Sequence, residues 1–144
     1  MNARRLALLA LPVALLLAAS GAFAGELTVT SAWSRATPPG VTMGVVYFHI
    51  ENGSTNSDRL LKLKTAVAAS AGVHRTEIVD DVARMREVAV LHVASGEKVE
   101  FAPGGLHVML MGLKKPLIAG RKFELELLFE VAGSRKVAVT VREN

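Results

Sequence analysis

The sequence predicts an all-β fold, an antiparallel β-sandwich or a small barrel, built as a single domain. Strand-type alternation is clearest over residues 122–131, where apolar side chains alternate with glutamates. Turn-forming Pro, Gly and Asn residues separate short apolar runs along the chain. No ten-residue stretch after position 24 repeats its apolar side chains with the helical period. These three observations favour short strands joined by tight turns.

The alternation predicts strands in this order: 27–33, 42–51, 59–64, 72–78, 82–89, 97–101 and 106–112, then a β-hairpin over 122–142. Turns are predicted at Pro38-Pro39-Gly40, Asn52-Gly53-Ser54 and Pro103-Gly104-Gly105. Short strands separated in this way are typical of sandwiches and barrels.

The final hairpin has the most regular pattern, because its apolar residues fall on one face with period two. Glutamates occupy the other face of its first strand, and Ala132-Gly133-Ser134 forms the turn. The predicted core-facing residues are Phe123, Leu125, Leu127, Phe129 and Val131, then Val137, Val139 and Val141.

Residues 1–24 have the layout of a secretory signal peptide. Arg4 and Arg5 form the basic start, and Leu6–Leu17 is an apolar run too short to span a membrane stably. Ala22-Phe23-Ala24 fits the cleavage rule. We therefore expect export and a mature domain over residues 25–144 in the periplasm. No Cys lies near the cleavage point, so we expect no acylation and no stable membrane insertion of the mature chain.

The composition of the mature chain narrows its function. Residues 25–144 suffice for one hydrophobic core. Without Arg4 and Arg5 they hold 15 basic and 13 acidic residues, so the formal charge falls from +4 to +2 and gives no reason to expect nucleic-acid binding. The absence of Cys excludes thiol-disulfide exchange and thiolate-bound metal within the chain. A G-x-S-x-G elbow and a phosphate loop are also missing, so we do not expect an enzyme.

Four residues stand out as candidate metal ligands. His74, Met85, His107 and Met109 form the pattern H-x10-M-x21-H-x-M. A thioether is a soft, neutral donor that favours Cu(I), and imidazole can complete such a shell. A structural zinc site would usually contain thiolates, and a calcium site would need several oxygens. The pattern therefore predicts a site for one Cu(I) per chain.

Secondary structure predicts how each pair of donors is arranged. His74 and Met85 are symmetric about a turn centred on Val79 and Asp80, so we expect them to pair across a hairpin. His107 and Met109 are two residues apart on one strand and share a face. Val108 and Leu110 should then point into the core. The fold must bring the two pairs together.

The other Met and His residues have simpler interpretations. Met43 and Met111 could supply spare sulfur, but hydrophobic packing is the favoured role. His49 and His92 lack a spaced partner and are expected on solvated strand faces. Asp80 and Asp81 are expected in a turn.

The mature chain resembles the PCu(A)C family of periplasmic copper chaperones over about residues 30–142. The family's metal motif is H-x10-M-x21-H-x-M, which this sequence reproduces without a gap. Family-like segments surround it: Ala32-Trp33-Ser34-Arg35, Thr37-Pro38-Pro39-Gly40, Val46-Tyr47-Phe48, Glu51-Asn52 and Gly104–Lys114.

The resemblance implies a cupredoxin-like β-sandwich, a fold shared in outline with immunoglobulin domains, that binds one Cu(I) near its surface. It also implies delivery of that copper to a respiratory oxidase copper centre, directly or through a Sco-type thiol protein. Two alternatives fit the same residues: periplasmic copper buffering or resistance, and a non-metal interaction module in which the methionines pack. A blue-copper electron carrier or oxidase would ordinarily require a Cys thiolate.

Overall fold

The computed structural model describes residues 25–143, and within that range the chain forms ten β-strands and no helix. Nothing helical in this part of the chain is long and apolar enough to cross a membrane. The predicted signal peptide lies outside the described residues. The strands are β1 (Leu27–Arg35), β2 (Met43–Asn52), β3 (Asp58–Thr65), β4 (Ala68–Val79), β5 (Val82–Glu87), β6 (Leu91–Val93), β7 (Lys98–Glu100), β8 (Leu106–Leu113), β9 (Lys122–Phe129) and β10 (Gly133–Arg142).

Every predicted strand is present, with ends that differ by a few residues. The strand β6 was not predicted, because it follows the predicted strand 82–89 closely and no Pro, Gly or Asn separates the two. It pairs with the first half of β3, where Leu60 faces Leu91.

Hydrogen bonds join the strands in the order β5-β4-β8-β2-β1-β10-β9-β3-β6, and β7 pairs with β2. The two halves of this order form an open sandwich around one hydrophobic core. Fully buried side chains come from both halves, including Phe48 and Leu110 from one and Leu125 and Phe129 from the other. The prediction of an all-β sandwich is confirmed.

The strand β1 connects the two halves of the sandwich. It pairs antiparallel with β2 and parallel with β10, which is a departure from the wholly antiparallel arrangement that was predicted. The register with β2 shifts between Thr30 and Trp33, and Ser31 there has a φ of 57°. Such an irregularity bends a strand and increases its twist, which allows β1 to border both halves.

The β9–β10 hairpin turns two residues earlier than predicted, at 130–132 instead of 132–134. Phe129 pairs with Gly133, whose φ of 74° suits a residue without a Cβ. Val131 is therefore in the loop and exposed, so its predicted place in the core is wrong. The remaining alternation holds, with Leu125, Leu127 and Phe129 buried.

The carboxylate of Asp58 fixes this loop from the neighbouring strand. Its Oδ1 accepts hydrogen bonds from the backbone N–H of Arg59 at 2.7 Å and of Val131 at 2.9 Å, and its Oδ2 accepts one from Ala132 at 2.8 Å. Burial alone would raise the pKa of Asp58, but these backbone donors outweigh it and lower the pKa. The charged form of Asp58 is therefore part of the native structure.

Candidate metal centre

The outer face of the β5-β4-β8-β2 half contains the predicted donors. Along β8 the side chains alternate, and Val108 and Leu110 are fully buried in the core as predicted. His107, Met109 and Met111 consequently lie on the opposite, outer face.

His74 and His107 are direct neighbours across β4 and β8. Their rings stack with centroids 6.0 Å apart and planes 20° apart. His107 is only 4% exposed, whereas His74 is half-buried. Backbone pairing alone therefore brings together two imidazoles that are 33 residues apart in the sequence.

Each ring uses one nitrogen to contact the backbone two residues earlier in the chain. His107 Nδ1 lies 3.1 Å from the carbonyl oxygen of Gly105, and His74 Nδ1 lies 3.4 Å from that of Gly72. A carbonyl can only accept, so these contacts favour the tautomer with a proton on Nδ1 and a lone pair on Nε2. Metal-ligating histidines are usually oriented in this way.

The Nε2 atom of His107 is buried and has no hydrogen-bond partner within residues 25–143. Buried polar atoms are almost always paired, so an unpaired one requires an explanation. A lone pair held in place by a hydrogen bond at Nδ1 fits a metal ligand. The donor chemistry therefore suits a borderline or soft cation.

Met109 lies one step along β8 from His107, on the same outer face. Its partners in the register are Gly72 on β4 and Val45 on β2. Gly72 has no side chain, and the His74 ring lies over it, since a Cβ at Gly72 would be 3.6 Å from His74 Cε1. Met109 is half-buried and does not belong to the hydrophobic core.

Met85 is not the cross-strand partner of His74. The predicted register of the β4–β5 hairpin is therefore wrong by two residues. His74 faces Glu87, and Met85 faces Thr76. The turn consists of Asp80 and Asp81, with φ values of 51° and 61°. A two-residue hairpin turn of this type requires positive φ at both positions, which a β-branched residue such as Val79 resists.

The two-residue correction keeps Met85 on the face of His74. A shift of one residue would have moved it to the other side of the sheet. Met85 lies diagonally from His74 on β5, the outermost strand of this half, and its side chain is 60% exposed. Glu87, directly opposite His74, was overlooked because only the correct register reveals it.

The structure thus brings His74 and His107 together, with Met109 beside them and Met85 on the rim of the sheet. Residues 25–143 contain no group of three His, Cys, Asp or Glu side chains suited to a metal. Sulfur must therefore contribute if these histidines bind a metal through more than two protein donors.

Met43 and Met111 do not pack in the core, so their predicted packing role is wrong. They face each other across β2 and β8 and are 50% and 36% exposed. His49 and His92 are exposed, as predicted. His49 Nε2 lies 3.6 Å from a carboxylate oxygen of Glu100, on a different part of the surface.

Comparison with known proteins gives a consistent family. The sequence model of the LpqE-like family, described as "Putative lipoprotein LpqE-like", matches residues 27–141. The protein named "Putative lipoprotein Lxx21020" from Leifsonia xyli subsp. xyli (strain CTCB07) is 31% identical over 124 residues, covering 85% of this chain and 74% of its own length.

Two solved structures with copper in their descriptions share the fold. The copper-bound PCuAC domain from PmoF2 has a TM-score of 0.71 and 26% identity, over 84% of this chain and 96% of that domain. The solution structure of CuI-DR1885 from Deinococcus radiodurans has a TM-score of 0.69 and 32% identity, over 87% of this chain and 84% of that one. The expected cupredoxin-like architecture is confirmed.

Proposed function

This chain belongs to the LpqE-like family and is a PCuAC protein, and from that premise we propose that it is an exported copper chaperone whose cargo is Cu(I). The copper-bound domain of PmoF2 and CuI-DR1885 support this function, since each resembles this chain over more than four-fifths of its length. We propose His74, Met85, His107 and Met109 as the ligands of one Cu(I) per chain.

The buried Nε2 of His107 is the observation that supports this site best. Its Nδ1 contacts the Gly105 carbonyl oxygen, and its Nε2 has no partner in the described chain. Leaving a buried polar group unsatisfied costs about 1–3 kcal/mol, a cost that a bound metal would remove. His74, stacked on the same ring, offers a second imidazole.

The proposed donors select for a soft monovalent cation. Two thioethers and two imidazoles are neutral, and thioethers favour Cu(I) over the harder ions that carboxylates and water hold. Glu87, exposed on the rim opposite His74, adds a negative charge that favours a cation without replacing a soft donor.

Release would occur by ligand exchange without redox chemistry. Met85 is the most exposed proposed ligand and lies on the outermost strand. An incoming thiolate can replace its thioether first: the copper–thioether bond breaks, a copper–thiolate bond forms, and the copper remains Cu(I). Met109 and then the imidazoles would follow. This exposure favours transfer over long-term storage, so we place delivery ahead of copper buffering or resistance.

The proposed recipient is the copper centre of a respiratory oxidase, reached directly or through a Sco-type thiol protein. The family resemblance supports this, as does the preference of Cu(I) for thiolates over thioethers. We propose the periplasm as the location, after removal of residues 1–24. The chain would act as a carrier and not as a catalyst.

X-ray absorption of the Cu(I)-loaded mature chain tests the ligand set. We expect two nitrogen and two sulfur neighbours around one copper. A Cu(I) competition titration of His107→Ala should show weaker binding than wild type, while His92→Ala should not. If copper does not bind at all, the interaction-module alternative is favoured.

Delivery needs a separate measurement. A Cu(I)-loaded chain mixed with an apo Sco-type protein should lose its copper to the thiols, and this transfer can be followed by separating the two proteins. Retention of copper against an acceptor of higher affinity would indicate storage.

A further inference from the structure

Met43 and Met111 form a second pair of thioethers on the outer face. They are direct partners across β2 and β8, so their Cβ atoms are about 4.5–5.5 Å apart. Both are exposed, and neither belongs to the hydrophobic core or packs against it. Core packing therefore does not explain two large apolar side chains placed opposite each other in solvent.

This pair lies next to the proposed copper site. Met111 follows Met109 by two residues on β8, which is roughly 6.6 Å along the strand. On the other side of Met111 the partner is Ser70, whose small side chain leaves the thioether open.

A shallow depression borders one residue of this pair and one of the proposed copper ligands. It has a volume of about 250 Å³, and its lining includes Met43, Val45 and Met109. Met43 therefore borders the same space as one of the proposed copper ligands. The remaining lining residues are mostly apolar, with Val41 and Pro38 among them.

The charges around this depression favour a weak site for a soft ion. No carboxylate lines it, and Arg35 is its charged residue. Without a carboxylate, the depression suits Ca²⁺ or Mg²⁺ poorly, since proteins bind these ions largely through carboxylate oxygens. Arg35 repels any cation, so a cation held by two neutral sulfurs would be released readily.

We propose that Met43 and Met111 form a second, weaker site for a soft monovalent cation, Cu(I), through which the ion enters the four-donor site by way of Met109. This inference rests on the proposed function of His74, Met85, His107 and Met109. Copper moves between the sites by exchange of one thioether for another, with no change of oxidation state.

Methyl NMR of the mature chain tests the second site directly. Residues 25–144 contain four methionines, so labelling the Met methyl carbons gives four signals that single Met→Leu variants can assign. Ag(I) in chloride-free buffer serves as a redox-inert substitute for Cu(I). The first equivalent should shift Met85 and Met109, and a second should shift Met43 and Met111 together. We expect the second step to be at least about tenfold weaker, since two donors replace four.

The possible outcomes separate this inference from the proposed function. If Met85 and Met109 respond but Met43 and Met111 do not respond to excess Ag(I), the second site is overturned. The same conclusion follows if all four methyls respond to the first equivalent alone. A response of Met43 and Met111 without Met85 and Met109 would overturn the four-donor site and leave the thioether pair standing.

A double variant, Met43→Leu with Met111→Leu, tests the proposed path of the ion from this pair through Met109 to the four-donor site. Leucine keeps the apolar surface and removes only sulfur, so the fold should be retained. We expect Cu(I) affinity at the four-donor site to change less than about twofold, while loading of that site from a weak Cu(I) donor complex slows about tenfold, since the ion loses its intermediate ligands. Leu61→Met, on another exposed strand, is the control that adds sulfur elsewhere. Unchanged loading rates in the double variant would contradict the path.

Discussion

His74 and His107 are direct cross-strand partners whose rings stack at 6.0 Å, and each directs Nδ1 toward the backbone carbonyl two residues earlier in the chain. Two rigid strands and two local contacts therefore orient the imidazoles. Imidazoles held this way would need little rearrangement to bind a metal as proposed.

Replacement of His107 by Ala should weaken Cu(I) binding by at least about 10–100-fold, the range seen when even an outer-shell partner is lost. A competition titration measures this, with His92→Ala as the matched control because His92 is an exposed histidine on β6. Equal affinities for wild type and His107→Ala would remove His107 from the site.

Met85 should be the methionine most protected by metal. In the metal-free chain its 60% exposure makes it the most readily oxidised of the four methionines in residues 25–144. One equivalent of Ag(I) should slow its conversion to the sulfoxide several-fold, because coordination uses one of the two sulfur lone pairs, lowers the nucleophilicity of the sulfur and hinders the approach of peroxide. Peroxide footprinting with mass spectrometry gives the rate at each methionine. If one equivalent of Ag(I) protected Met43 more than Met85, the four-donor site would not be the tighter of the two proposed sites.

Asp58→Asn should destabilise the domain by about 1–3 kcal/mol, because backbone N–H groups then lose a charged acceptor. The pKa of Asp58 is lowered in the native state, so its contribution is fully present above the usual Asp value of about 3.9 and disappears as pH falls through the native value. Urea unfolding at several pH values should show that the difference in the free energy of unfolding between wild type and variant narrows below about pH 4. Asp80→Asn, at an exposed turn position, is the control. If the stability difference between wild type and Asp58→Asn did not depend on pH, the charge of the carboxylate would not be its cause.

Asp81→Gly should stabilise the β4–β5 hairpin by about 0.5–1 kcal/mol, because glycine adopts the φ of 61° without strain. Amide hydrogen exchange within residues 74–87 measures this local effect. Gly133→Ala should instead destabilise the β9–β10 hairpin, because alanine adopts the φ of 74° at that position only with strain. Cu(I) affinity should not change with Asp81→Gly, since the register that positions Met85 is kept. A changed register, seen as altered cross-strand contacts, would contradict the turn assignment.

Local patterns predicted most of the fold. The alternation of β8 placed Val108 and Leu110 in the core and His107 and Met109 on the other face, because the period of a strand is fixed by backbone geometry. Strand ends differed by a few residues, and β6 was missed because no turn residue separates it from the strand before it.

Registers between strands could not be read from the sequence with the same accuracy. The hairpin turn moved by one residue because Asp80 and Asp81 tolerate a left-handed backbone, and this moved the partner of His74 from Met85 to Glu87. The pairing of Met43 with Met111 depends on two strands that are far apart in the chain, so only the folded sheet reveals it.

Apart from His107, the proposed donors lie outside the buried core, interleaved on β8 with the residues that form it. Selection can therefore change the cargo of this scaffold with little effect on its folding. Descendants could lose sulfur, gain carboxylates or abandon metal altogether while keeping the same sandwich, so metal specificity and architecture are free to diverge at different rates.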